Sequence, residues 1–189
     1  MTATPANVTL KDLNDQWAMN WKLCDDSEPM LVAQGVPWLV RKLLGLISMQ
    51  VALKTVPDPA TGLTHFFAEY KPPFGLPSSG EERVLDFVAE EITVPVFGTL
   101  RVSTRWATPK ELDEIDAYLG EGFEKGTKEV IHMKTENSEL GVVTHQTFGF
   151  EKIKGVRYHT RHIVVKRGGE STRLTLVYDY VGPQHAKKS

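Results

Sequence analysis

The stretch from Gly149 to Gly182 reads GFEKIKGVRYHTRHIVVKRGGESTRLTLVYDYVG and predicts strands separated by two tight turns. Gly168–Gly169 is typical of a hairpin turn, and Lys154–Gly155 predicts a second turn upstream. Between the turns lies a strand that resembles a core strand but carries two arginines and two histidines. Because successive strand residues point to opposite faces, the register decides which of these polar side chains face the interior.

The two turns predict a register for three consecutive strands. Pairing Arg167 with Glu170 sets His159 opposite Tyr178, and the upstream turn sets Phe148 opposite Arg161. Directly paired residues share a face. The face with more large apolar residues is predicted to be interior, and it comprises Thr144, Gln146, Phe148, Phe150, His159, Arg161, Ile163, Leu174, Leu176 and Tyr178. His132, His145 and His162 fall on the outer face, where we expect them to be solvated.

The first third of the chain predicts one strand and two helices. The strand is predicted over residues 17–24. A helix then begins after Asp26 or Ser27, which suit an N-cap, and ends at Gly35. A second helix follows, with Pro37 in its first turn.

From residue 49 onward the sequence predicts strands broken by turns. Residues 72–80 are predicted to be a long loop, and residues 83–93 allow helix or strand, with β-branched flanks that favour strand. One domain is expected over residues 15–182, between loosely held tails at 1–14 and 183–189.

One inserted helix is predicted over residues 108–123. Thr108 suits the N-cap, Pro109 the first helical position, and Glu111 completes a capping box. Its apolar stripe is expected to pack against the rest of the protein rather than remain in water, and it contains Leu112, Ile115 and Leu119.

The order of these elements predicts the fold class. A strand, two short helices and roughly eight strands in meander order indicate an up-and-down antiparallel β-barrel. We therefore expect a mainly β protein with a short helix-turn-helix cap and the inserted helix.

Both ends of the chain resemble intracellular fatty-acid-binding proteins of the calycin superfamily. Trp21–Lys22, Gly35–Val36 and Arg41–Lys42 match the opening pattern of that family, and TLVYDYV at 175–181 is similar to its final strand. The resemblance implies a calycin-like barrel around an apolar ligand. In that family an arginine two residues before the final tyrosine helps to hold the fatty-acid carboxylate. Here that position is Leu176, and Arg161 is predicted directly across from it.

Composition excludes several classes of function. The chain has 189 residues, 41% of them hydrophobic and 24% charged, which is typical of an ordinary globular domain. A net charge of −2 gives no reason to expect a nucleic-acid partner. The single cysteine excludes an internal disulfide. No secretory signal or apolar run long enough for membrane insertion is present, so a cytoplasmic location is expected.

Arg161, His159 and Tyr178 are the predicted catalytic residues. Arg161 would hold a polar oxygen of the ligand, and His159 would transfer a proton beside Tyr178. The other interior residues, with Met133 added, are predicted to bind the ligand. Two alternatives stay open: Arg161 pairs with an internal glutamate or faces solvent, and His159 is a hydrogen-bonded core residue. No spacing indicates a metal site, and no cofactor is expected.

Three functions are compatible with this pattern. The favoured one is a cofactor-free isomerase or cyclase acting on an apolar organic molecule such as a polyketide or terpenoid intermediate. The alternative is a non-catalytic carrier of a fatty acid or similar hydrophobic ligand. A third is a protein-interaction domain that uses the inserted helix. The chain gives no indication of its oligomeric state.

Overall fold

The computed structural model of the protein describes residues 3–44, 50–71, 78–95 and 97–184. The helices are α1 (Glu28–Ala33), α2 (Trp38–Leu44) and α3 (Pro109–Asp113), followed by a 3₁₀ turn over Ala117–Leu119. The strands are β1 (Asn14–Met19), β2 (Gln50–Pro57), β3 (Thr64–Lys71), β4 (Ser79–Val84), β5 (Glu90–Val94), β6 (Gly98–Ala107), β7 (Val130–Asn137), β8 (Val142–Ile153), β9 (Val156–Arg167) and β10 (Glu170–Pro183). The end of the predicted second helix, most of the predicted 72–80 loop and the last five residues lie outside the described residues.

All ten strands belong to one antiparallel sheet, in the order β4-β3-β2-β1-β10-β9-β8-β7-β6-β5. Each strand pairs with its neighbour in sequence except at β4 and β5, and β1 pairs with both β2 and β10. The sheet curls into a half-barrel whose edges are β4 and β5. The predicted mainly β, calycin-like meander is therefore confirmed.

The sheet has ten strands, one more than the predicted first strand plus roughly eight, because β4 begins at Ser79, inside the predicted 72–80 loop, and ends at Val84, while β5 begins at Glu90. The prediction of one strand over residues 83–93 is confirmed at 83–84 and 90–93 and is wrong for the residues between, which separate β4 from β5. Phe87 in that turn has a φ of 62°, a left-handed conformation that a continuous strand does not contain.

The predicted register of the last three strands is confirmed. His159 pairs with Tyr178, and Phe148 pairs with Arg161. Leu174 and Leu176 are buried, as expected for the interior face. The turn between β9 and β10 contains two glycines with positive φ, 57° at Gly168 and 85° at Gly169. This backbone conformation favours glycine, so the glycine pair marks the position of the turn in the sequence.

The expectation of a loosely held N-terminal tail is wrong. Thr4, Val8, Leu10 and Leu13 are buried. The guanidinium of Arg157 on β9 donates to the carbonyls of Pro5 and Val8, at 2.6 and 3.0 Å. Burial of these apolar side chains and satisfied backbone groups hold the segment against the sheet. It covers the end of the interior where Trp17, fully buried, lies.

Helix α1 lies over the other end of the sheet, against β9 and β10, and Arg41 of α2 donates to Glu28 of α1 at 2.9 Å. The Asp26 carboxylate accepts a hydrogen bond from Glu28 N at 2.9 Å and so caps α1, while Ser27 makes no such bond. Gln34, which follows α1, donates to Thr144 Oγ1 on β8 at 3.3 Å. This contact places the end of α1 over the interior.

The inserted segment is two short turns instead of one helix over 108–123. The Thr108–Glu111 capping box forms as predicted, but α3 ends at Asp113. The Asp116 carboxylate accepts from Tyr118 N and begins the 3₁₀ turn, an alternative to helix that aspartate side chains commonly offer. Leu112 and Leu119 are completely buried, so the expected packing of the apolar stripe is confirmed.

The insert packs on the outer face of β8 and β9, and this overturns the expectation that the outer histidines are solvated. His132, His145 and His162 are all buried, at 0, 7 and 4% exposed. His162 Nδ1 lies 2.9 Å from Tyr118 O, and its Nε2 lies 2.5 Å from Glu151 Oε1. The sheet therefore has two covered faces, which strand alternation alone does not reveal.

Candidate functional site

Arg161 lies on β9 with its guanidinium inside the curl of the sheet. The residue is 9% exposed. One nitrogen donates to Gln146 Oε1, another lies 3.5 Å from the Tyr178 hydroxyl, and the guanidinium carbon stands 4.6 Å from the Phe148 ring centre. Among the described residues, no carboxylate comes within 4 Å of this guanidinium. The predicted interior position is thus realised, with neutral partners.

Arg161 faces a cavity of about 250 Å³. One wall is apolar and comes mainly from β5, β6 and β7, where it is formed by Ile92, Val94, Leu100, Val102 and Met133. The polar wall contains Tyr70, Glu81, Thr144, Gln146 and Arg161, with Gln34 from the helical end, and β7 adds Thr135 and Asn137. Such a space suits an elongated apolar molecule with one polar region.

Four of the predicted site residues line this cavity: Met133, Thr144, Gln146 and Arg161. The other seven lie on the same inner face but are packed into the core outside the cavity lining: Phe148, Phe150, His159, Ile163, Leu174, Leu176 and Tyr178. Aromatic rings fill this part of the interior, because Phe66 meets Phe148 edge-on at 5.2 Å and Trp17 lies 5.1 Å from His159. The predicted face is confirmed, and the open space occupies only part of it.

His159 is completely buried among aromatic rings. Its Nδ1 lies 3.0 Å from the Gly149 carbonyl, so Nδ1 carries the proton that it donates. Burial, and next the Arg161 charge, lower the pKa of His159 to about 3. The imidazole is therefore neutral at physiological pH, and the cavity lining does not include it. This geometry corresponds to the alternative of a hydrogen-bonded core histidine.

Two functional candidates, Tyr70 and Glu81, were not found from the sequence. Tyr70 on β3 donates to Glu81 Oε1 on β4 at 3.1 Å, and both line the cavity. The available signal was the alternation of Glu81 and Arg83 on one face of β4. The sequence between β3 and β4 predicts a long loop, and a long loop sets no register.

The described lining of the cavity contains no histidine, cysteine or lysine side chain. Burial, which outweighs the nearby Arg161 charge, raises the pKa of Tyr70 above its ordinary value. Burial likewise raises the pKa of Tyr178. Both phenols keep their protons, while the arginine stays charged at every physiological pH. The arrangement offers a fixed positive hydrogen-bond donor and a shaped apolar wall.

Within the described ranges, no cluster of three or more histidine, cysteine or acidic side chains is arranged to hold a metal ion. The same residues include no helix with the length and apolar character needed to cross a membrane.

Comparison with known proteins finds a similar enzyme. A protein from Acremonium sp named pericyclase pydY is 56% identical over 182 residues, which span 96% of this chain and 98% of that protein. No established protein-family profile matches the chain.

Solved structures with similar folds are distant in sequence. The Schistosoma mansoni fatty acid binding protein in complex with arachidonic acid superposes with a TM-score of 0.59 at 8% identity, covering 92% of this chain and 99% of that one. The secretory abundant heat soluble protein 4 of Ramazzottius varieornatus gives 0.57 at 10% identity, with coverages of 93% and 99%. At these identities the likeness establishes the calycin-like fold alone.

Proposed function

Since the chain belongs to the family of pericyclase pydY, we propose that it is an isomerase- or cyclase-type enzyme that accelerates a pericyclic reaction within its cavity. The substrate is an apolar organic molecule that carries a carbonyl group next to its reacting double bonds. Arg161 donates to the carbonyl oxygen, and the apolar wall holds the remainder of the molecule folded.

The observation that carries this proposal is the buried guanidinium of Arg161. It faces the cavity, and its hydrogen-bond partners are the neutral Gln146 and Tyr178. A buried cation with only neutral partners retains a strong tendency to bind an oxygen acceptor. A hydrogen bond to a charged donor contributes about 1.5–3 kcal/mol, and here it withdraws electrons from the conjugated system as the bonds rearrange.

The described lining of the cavity contains no histidine, the side chain most often used for proton transfer, and this agrees with a reaction of this type. A pericyclic reaction moves electrons in one cyclic, concerted step and transfers no proton to the protein. Its barrier depends on bringing the reacting ends together in one conformation, and enclosure in a fitted cavity achieves this. The apolar side chains of Ile92, Leu100, Val102 and Met133 provide the surface for that folding.

The direct test uses the substrate of pericyclase pydY, incubated with the purified protein in D₂O. We expect faster formation of the cyclised or rearranged product, with the ratio of stereoisomers changed from that of the uncatalysed reaction. Because no proton is exchanged, the product should contain no carbon-bound deuterium by NMR. Deuterium at carbon would indicate a proton-transfer isomerase, and stoichiometric binding without turnover would indicate a carrier.

A further inference from the structure

The polar wall of the cavity contains an acidic residue as well as Arg161. On β4, Glu81 pairs with Ala68 and Arg83 pairs with Phe66. Phe66 is buried against Phe148, which establishes this as the inner face. Since paired residues share a face, Glu81 and Arg83 also point inward.

Glu81 is held in place by two donors. The Tyr70 hydroxyl donates to one carboxylate oxygen at 3.1 Å, and Arg83 approaches the other at 3.0 Å. Arg83 is itself buried and lies 3.5 Å from the Glu90 carboxylate. The negative charge of Glu81 is therefore fixed at the cavity wall, with Tyr70 between it and the Arg161 region.

These side chains balance one another in charge before any ligand binds. The inner wall and its β4–β5 edge carry two guanidiniums, Arg83 and Arg161, and two carboxylates, Glu81 and Glu90. A carboxylate ligand would add an uncompensated negative charge close to Glu81. An uncharged carbonyl would accept from Arg161 without disturbing the balance.

We infer that Glu81 is a specificity-determining residue that makes the cavity select uncharged carbonyl compounds over carboxylates. The inference rests on the proposed function, in which Arg161 holds a carbonyl oxygen in this cavity. Repulsion between like charges is strong where water is excluded, and an ionised ligand also loses more hydration than an amide on burial. The cavity thus differs in charge preference from a site built for fatty-acid carboxylates.

The test compares decanoic acid with decanamide, which share chain length and differ in charge, by isothermal titration calorimetry at pH 8. We expect wild-type protein to bind decanamide at least about tenfold more tightly, a difference of about 1.4 kcal/mol. Equal affinity, or tighter binding of decanoate, would overturn the inference while leaving the cavity as the binding site. Failure of both probes to bind would overturn the proposed cavity itself.

Glu81→Gln removes the charge and keeps the size of the side chain. We expect this variant to bind decanoate at least about fivefold more tightly than the wild type, while its affinity for decanamide changes less than twofold. Glu82→Gln is the matched control, because Glu82 lies on the opposite face of the same strand and pairs with the half-buried His65 at 2.8 Å. An identical ratio of affinities in wild type and Glu81→Gln would refute the assignment, and the wild-type ratio alone decides the matter if the variant does not fold.

Discussion

Arg161 and His159 stand two residues apart on the same face of β9, yet their surroundings give them different roles. Arg161 faces the cavity, whereas His159 donates to Gly149 O and is enclosed by rings. Of the two, only the arginine lines the cavity. The identity of the neighbouring side chains, rather than the strand position, makes this distinction.

Two substitutions test this difference. We expect Arg161→Leu to lower kcat/KM by about 10- to 100-fold, the equivalent of one charge-assisted hydrogen bond, and Arg167→Leu at the exposed end of the strand to change it less than twofold.

We expect His159→Phe to lower the free energy of unfolding by about 1–2 kcal/mol, because Gly149 O loses the hydrogen bond from His159, with kcat/KM reduced no more than a few-fold. Steady-state kinetics and urea unfolding measure both. A hundredfold loss of turnover in folded His159→Phe would restore the acid–base role predicted from the sequence.

At the scale of elements, the docking of the insert on the sheet depends on a glycine. A Cβ atom added to Gly149 on β8 would lie 2.2 Å from the Phe123 ring, closer than any real contact. That ring in turn stacks on His162 at 4.9 Å. The insert therefore approaches the sheet as closely as it does because position 149 has no side chain.

Gly149→Ala should weaken this docking. We expect a loss of about 1–3 kcal/mol in the free energy of unfolding, the usual range for overpacking. Gly80→Ala is the control, since a Cβ there meets its nearest atom at an ordinary 3.9 Å, and it should be almost neutral in urea unfolding. A smaller side chain at position 123 should relieve the clash with the added methyl group. Phe123→Leu in the Gly149→Ala background should therefore recover part of the lost free energy of unfolding. An unchanged midpoint for Gly149→Ala would show that Phe123 moves away freely.

The same elements explain which features were readable from sequence. The β8–β10 register was predicted because short glycine turns join those strands and alternation does the rest. Tyr70 and Glu81 were missed because a longer connection joins β3 to β4 and sets no register. The burial of His145 and His162 was missed for another reason: alternation tells which face a residue occupies but not what covers that face.

At the scale of the whole molecule, both covered faces of the sheet enclose neutral histidines. Burial lowers the pKa of His132 to about 3 and that of His145 to about 4, and the two rings stack with a 3.1 Å contact between nitrogens. His159 on the inner face has a pKa lowered to about 3, again through burial first. Between these lowered pKa values and about 6.5, the three side chains are neutral in the native protein but bind protons in the unfolded chain.

The stability of the protein should consequently fall as the solution is acidified. Below the unfolded value of about 6.5 the unfolded chain binds more protons than the native one, so each of these three histidines lowers the free energy of unfolding by up to about 1.4 kcal/mol per pH unit. The stabilisation is complete above pH 6.5 and is lost as pH falls toward the native pKa values. Urea unfolding between pH 7 and 5 measures this effect at pH values above the range in which Asp116 and Glu151 titrate, because the pKa values of both carboxyls are lowered. His159→Phe should show a slope shallower by about 1 kcal/mol per pH unit than the wild type, because it removes one of the three groups. A free energy of unfolding that stays constant from pH 7 to 5 would mean that these histidines are hydrated or charged in the native protein, contrary to their burial.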